Sequence, residues 1–358
     1  VFDIQQGVAI CLMIKDKAGK HEPAQVFHAD LYGLREEKYQ VLGSNSVAGS
    51  TWTPLTPNAE SYLLVPAATE LADEYAEYAA VCRCFPTNSV GIATARDALC
   101  VHFTAEEMWN TACRFATLPA DRAREEYDLG KDARDWKVSL AQADVARTGP
   151  DRTRVAPVVY RPFDERWTYY TGISRGFLCM PRPEVMRHML QANVGLGVNR
   201  TIESGPSFQH VFVSASLFTH HSVSLKEVNY LLPLYVYPAS DRASLFHEDT
   251  KTDAPGGRKP NLAPEFVADI ENKIGMAFIP DGKGDLTATF GPEDVFNYIY
   301  GVFHSPTYRS RYAEFLKIDF PRVPLTSDAG LFRELADIGG ELVALLAMQS
   351  RVLLGLLA

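Results

Sequence analysis

Residues Tyr160–Tyr170 read YRPFDERWTYY and carry two arginines, two carboxylates and five aromatic rings in eleven positions. Two readings fit the stretch. In the plainer one it is a strand followed by a surface turn. Phe163 and Trp167 then pack inward, and Arg161 pairs with Asp164 or Glu165, an exposed ion pair that contributes little. In the other reading, guanidinium and aromatic groups together grip a phosphate backbone and stack on bases. Both readings predict strand, and the neighbouring segments agree. VAPVVYRPF (155–163), VGLGVNRTI (194–202), HVFVSASLF (210–218) and LLPLYVYP (231–238) are strand-like, and Pro183 opens a short helix over Pro183–Ala192. The sequence therefore predicts a β-rich centre over residues 151–290.

The flanks read differently. Residues 1–15 read as a buried strand interrupted by Gln5, Gln6 and Gly7, ended by the KDKAGK turn (15–20) and paired as a hairpin with Ala24–Leu31. Thr51–Ala68, rich in Pro, Thr, Ser and Asn, reads as an irregular crossing. Thr69–Arg83 is helical in pattern. NSVGIATARDALCVHFT (88–104) places Gly91 before an alternating strand and sets Arg96 and Asp97 beside a bend. Thr104 with Glu107 forms a capping box that starts about forty helical, acidic, Ala-rich residues, so residues 51–150 read as a mostly helical support region. Helices follow at 264–275, 292–304 and 306–317, proline-led as helix starts prefer, and a long apolar one runs from Ser327. Residues 291–358 thus read as a C-terminal helical region, and the fold class is α+β.

The 358 residues are 46% hydrophobic and 22% charged, enough apolar material for a sizeable core. No apolar run reaches the ~18 residues of a membrane span. The chain opens on an apolar strand without an initiating Met and reads as a piece of a longer protein. The six cysteines lie mostly among apolar neighbours and form neither CxxC pairs nor a disulfide framework, which points to a reducing cytoplasm. A net charge of −9 argues against a protein that simply coats nucleic acid. The charge is uneven, however. Residues 51–150 sum to −6, whereas residues 151–200 hold eight arginines, no lysine and four acids, a net of +4. Arginine alone suits bidentate contacts to phosphate or guanine edges.

Catalytic signatures are missing. There is no P-loop, GxSxG elbow or HExxH. The GxG of Gly195 and Gly197 lies within a strand. His220–His221 has no third ligand at metal spacing, so one ring reads as a phosphate or base contact and the other as packing. DGKGD (281–285) lacks the acids of a calcium loop.

Several blocks then converge: VFDIQQGVAI, GIATARD, YRPFDERWTYY, PLYVYP, RKPNL and DVFNYIYGVFHSPTYRSRYAEFLKIDFPRVPLT. In their order and number they resemble the C-terminal part of type ISP restriction–modification enzymes, single-chain helicase–methyltransferase proteins. The resemblance implies that residues 1–50 are the terminal strands of a Rossmann-like adenine-N6 methyltransferase sheet. The remainder would be a mixed target recognition domain with helical layers. It also implies S-adenosylmethionine, ATP and Mg as cofactors of the parent, double-stranded DNA as partner, and upstream methyltransferase and helicase domains in the same polypeptide. This sequence has neither the FxGxG-type cofactor loop nor the (Asn/Asp)-Pro-Pro-aromatic motif that holds a flipped adenine. No catalytic or metal residue and no cofactor are therefore assigned here, and the chain is expected to be inactive alone.

The residues expected to contact DNA are Arg96, Arg161, Arg166, Arg175, Arg182, Arg187, Asn199, Arg200, His220, His221, Lys226, Arg258, Lys259, Asn261, Arg309 and Arg311. Arginines would grip phosphates and guanine edges, and Asn would read adenine. Two other classes stay open: a nuclease fragment using scattered acids, and a protein-interaction scaffold consistent with the negative charge.

Overall fold

The computed structural model describes residues 9–15, 24–57, 64, 71–147, 149–203, 208–238 and 254–356, with side chains through residue 346. The chain divides into two compact units, Val1–Glu74 and Tyr75–Ala358.

In the first unit, β1 (Val26–His28) pairs antiparallel with β2 (Thr53–Leu55), and the helix Arg35–Ser44 between them buries no side chain. This corrects the expected hairpin. Residues 9–15 hold no strand and lie exposed, and residues 1–8, with Gln5, Gln6 and Gly7, lie outside the described residues. The partner of β1 comes instead from the stretch read as an irregular crossing. Pro54 is tolerated there because a two-stranded ribbon is all edge. Among the described residues of this unit there is no parallel sheet of Rossmann type.

The second unit begins with a correction as well. The helix expected over Thr69–Arg83 is broken by β3 (Ala79–Ala80), which pairs with Arg322–Val323. The segment 320–324, with prolines at 321 and 324, supplies a partner that no local pattern announces. Two larger sheets follow. One is fully antiparallel, in the order β4 (Ser89–Val90), β10 (Asn229–Pro233), β7 (Gly195–Asn199), β8 (Val211–Ser214). The other holds β5 (Val155–Arg161) at its centre. β5 pairs antiparallel with β6 (Asp164–Tyr169) and parallel with β9 (Leu217–Phe218).

Helices cover these sheets. Thr104 accepts from the Glu107 N–H at 3.1 Å, and the Glu107 carboxylate accepts in return, so the capping box starts Ala105–Thr117 as its sequence predicts. Met108, Ala112 and Phe115 recur on one face of that helix and are fully buried. They pack with Trp136, Tyr169 and Phe177 into a core that runs across residue 150 and joins the helices to β5 and β6. At the other end, Pro292–His304 crosses the long helix Ala329–Leu356 at backbone contact. A Cβ on Gly339 would stand 1.9 Å from Asn297 O, so only glycine fits.

One short segment ties the two sheets together. Gly91 N–H donates to Asn229 O, Ile92 N–H to Phe218 O and Ala93 N–H to Met180 O. A Cβ on Gly91 would lie 2.4 Å from the Thr219 carbonyl carbon, so its bare backbone is what lets this segment lie against His220.

Candidate nucleic-acid interface

The residues after Ile92, the β5–β6 hairpin and the loop after β9 meet at one edge of these sheets. Ile92 bridges Thr219 and Ala93 bridges Met180, which fixes the order of the segments. Side chains then converge. Tyr160 donates from its hydroxyl to Asp97 Oδ2 at 2.7 Å, and Thr94 donates to the other oxygen of Asp97. The Tyr160 ring carries two guanidiniums, Arg161 at 4.0 Å and Arg166 at 4.3 Å from its centroid. Arg166 also lies 4.3 Å from the ring of Phe103, itself 61% exposed. Stacking of this kind fixes the plane of a guanidinium.

The two arginines differ in their partners. Arg166 grips Asp164 with two prongs, Nε to Oδ1 at 2.9 Å and Nη2 to Oδ2 at 2.7 Å. That corrects the expected pairing of Arg161 with Asp164 or Glu165. Side chains two apart on a strand share a face, so Asp164 meets Arg166. Glu165 turns to the opposite face, where Ser216 Oγ donates to it and burial raises its carboxyl above the ordinary range. Arg161 spends only Nη1, on the carbonyls of Tyr160 and His221 at 2.6 and 3.4 Å. Its Nε–Nη2 edge makes no described hydrogen bond, and neither atom is sealed from solvent.

The loop from Thr219 to Asn229 is tied down by polar contacts. Ser222 Oγ donates to Val159 O at 2.7 Å, and Asn229 Oδ1 accepts from the N–H groups of Val223 and Ser224 at 2.5 and 3.2 Å. The loop therefore presents His220 and His221 in a fixed pose, with ring centroids 4.1 Å apart. His220 Nδ1 lies 3.0 Å from Ile92 O; a carbonyl only accepts, so Nδ1 donates and Nε2 is left as an acceptor on the neutral ring. Burial, together with His221, lowers the His220 pKa below the ordinary imidazole range. Lys226 extends from the same loop toward Glu203 at 3.9 Å.

Arg175 and Arg182 line a neighbouring cleft of about 250 Å³ with Asp135, Cys179 and Glu184. Arg175 lies 3.5 Å from Asp135, and the Nε of Arg182 is buried without a partner. Backbone strain collects in these same loops. Ala95, Phe163, Arg175 and Arg182 all take positive φ, between 54° and 62°, among six such non-glycine residues described. Left-handed backbone of this kind costs free energy and clusters at functional sites.

The other expected contacts are placed elsewhere. Arg96 holds the carbonyls of Ala95, Leu129 and Lys131 and covers Trp136, so it staples two loops. Arg187 donates to Tyr237 O, Arg200 pairs with Asp319, and Arg258 pairs with Asp281 over the Tyr235 ring. Lys259 lies exposed in the short strand Lys259–Pro260. Arg309 is half-buried with Nε on Phe303 O, and Arg311 meets the Tyr312 hydroxyl. Asn199 and Asn261 are corrections: both are interior. Asn199 accepts from Asn229, and Asn261 ties Thr87 to Pro233, so neither amide faces a surface where a base could be read. Three residues of the cluster escaped sequence reasoning: Asp97 and Tyr160 in this role, and Phe103. Tyr160 and Asp97 are 63 positions apart, and no local pattern signals their bond.

Among the described residues, no group of His, Cys, Asp and Glu could hold a metal, and no helix is long and apolar enough to cross a membrane.

The family model described as the Type ISP C-terminal specificity domain matches residues 83–356. No curated protein matches the chain. Solved structures share its fold. One is the cryoEM structure of the DrdV–DNA complex, at 20% identity and TM-score 0.55, covering 87% of this chain and 29% of that one. Another is a nuclease-deletion mutant of the Type ISP restriction–modification enzyme LlaGI with a DNA substrate mimic, at 20% identity and TM-score 0.56, covering 91% and 28%. A third is the ATP-dependent Type ISP enzyme LlaBIII bound to DNA, at 18% identity and TM-score 0.55, covering 82% and 18%. The chain spans less than a third of each of these chains. It belongs to the Type ISP C-terminal specificity domain family.

Proposed function

We propose that this specificity-domain chain reads double-stranded DNA as the target recognition module of a type ISP restriction–modification enzyme. The observation that carries the reading is the cluster at Tyr160. Three segments distant in sequence bring two ring-stacked guanidiniums and two imidazoles to one edge, on backbone already held in place. Phosphate contacts from arginine position a protein on a duplex, and base-edge contacts specify the sequence. The test is selection of duplexes from a randomised pool by the chain itself. Enrichment of one sequence is expected, with binding that weakens as salt rises. No enrichment and no salt-dependent binding would overturn the reading.

The finer assignment concerns the parent. Residues 1–50 form the end of an adenine-specific methyltransferase domain, and the upstream methyltransferase and helicase domains of the same cytoplasmic polypeptide supply the chemistry. S-adenosylmethionine, ATP and Mg serve that full-length protein. Ile10, Leu12, Met13 and Ile14 are large apolar side chains left open in the first unit, which supports a missing partner surface for this segment. The chain alone should transfer no methyl group from labelled S-adenosylmethionine and cut no DNA. Methyl transfer above background on the selected duplex would sink this assignment.

A further inference from the structure

Phe163 stands at the tip of the β5–β6 hairpin, in the turn between Arg161 and Asp164. A hairpin turn that needs positive φ normally takes Gly, Asn or Asp. Here a bulky aromatic residue holds φ at 61° and leaves 54% of its surface exposed. Both features work against stability, since the backbone is strained and an apolar ring faces water. Pro162 precedes it with a ring-fixed φ, so the turn has little freedom to relax. The Phe163 ring leans edge-to-face on Phe212, with centroids 5.6 Å apart and planes at 83°. That contact props the ring without burying it. Directly behind the tip, Tyr160 holds the guanidiniums of Arg161 and Arg166 against its ring. An exposed, propped ring with cations at its base matches what an opened base stack requires: an apolar plate to replace lost stacking, and positive charge for the flanking phosphates.

We propose that Phe163 is a wedge that enters the base stack of the target duplex, held there by a phosphate contact from Arg161. The inference rests on the target-recognition reading and adds to it a deformation of the DNA. The interaction is stacking, so it does not depend on which base lies at the step. Its contribution to specificity comes from how readily a given step unstacks.

The experiment uses duplexes enriched from a randomised pool by the wild-type chain, with 2-aminopurine placed at each adenine in turn. The wild-type chain should raise the fluorescence several-fold at one position, because that base loses its stacking neighbours. Phe163→Asn should abolish the rise and weaken binding about tenfold, with the salt slope unchanged because no phosphate contact is removed. Asn accepts the left-handed backbone, so this variant should melt no lower than wild type, and loss of folding cannot imitate the result. Phe163→Trp should keep the rise. An undiminished signal with Phe163→Asn would overturn the wedge while leaving target recognition intact. A pool from which the wild-type chain enriches nothing would instead remove the target-recognition reading, and the wedge with it.

Discussion

Arg161 and Arg166 sit on the same tyrosine ring and are expected to fail in different ways. Arg166 is committed to Asp164 through two hydrogen bonds, while Arg161 keeps a two-donor edge for a partner. Arg161→Ala should therefore change DNA binding more than stability. If the edge meets a phosphate, all sequences weaken alike and the salt slope falls by about one. If it meets a guanine, the loss is ~1–3 kcal/mol at one base pair. Arg166→Ala should lower the melting temperature more than Arg161→Ala, because it leaves the Asp164 carboxylate without its two-pronged partner. Isotherms at two salt concentrations, together with thermal melts, separate the two residues. Interior histidine gives a pH prediction. His188 Nδ1 accepts from the Tyr237 N–H at 2.9 Å, and burial takes its pKa down to about 4. The folded state thus holds this ring neutral, whereas the unfolded chain protonates near pH ~6.5. Stability should be full above that value and fall as pH drops from ~6.5 toward 4. His188→Gln should flatten that part of the profile in melts followed by circular dichroism. The mixture of aromatic and guanidinium groups was legible in Tyr160–Tyr170, but the choice of Tyr160 as the ring that carries both arginines was not. The burial of Asn199 and Asn261 was not, because residue type does not say which face of a strand or loop a side chain takes.

Elements were legible where their signals are local. The Thr104 capping box, the proline-led helices at 264, 292 and 306, and the strands between 155 and 233 follow from patterns a few residues long. Pairings set by distant partners were not legible. β1 with β2, β3 with Arg322–Val323, and β5 parallel to β9 depend on segments that only the complete fold brings together. The helix crossing at Gly339 gives the sharpest test at this scale. Gly339→Ala gains helix propensity but forces a methyl group into the Asn297 carbonyl. The expected loss is ~1–3 kcal/mol, read as a lower melting temperature. An unchanged or raised value would mean that the two helices are not in backbone contact.

Across the molecule, charge is sorted rather than excessive. The chain is net −9, yet the acids of its helical layer are largely spent on neighbours: Glu126 on Arg114, Glu125 on Arg122 and Glu106 on Arg152. That layer covers the core from the side of the helices, while the +4 segment, residues 151–200, contains the hairpin tip. Reversing Glu125 and Glu126 together to Lys should leave duplex affinity within about twofold, since exposed pairs contribute ~0–1 kcal/mol and screening limits their reach. A tenfold gain would place the helical layer against DNA. The α+β class was readable from composition and pattern, because strand-rich and helix-rich stretches are separated along the chain. The convergence of residues 94–97, 160–166 and 219–222 was not, because it depends on one tie, the Gly91–Ala93 segment seated between Met180 and Thr219.

That tie has a consequence for synthesis on the ribosome. The segment at 91–93 emerges before its partners at 180, 218 and 229, which follow about ninety to one hundred and forty residues later. At ~5–20 residues per second, that delay is several seconds to almost half a minute. During it the nascent chain holds the stapling segment and then the arginine hairpin without the sheet that orients them. The edge that carries the Tyr160 cluster thus stays incomplete until residue 229 has emerged, and a chain halted before that point should lack the cluster.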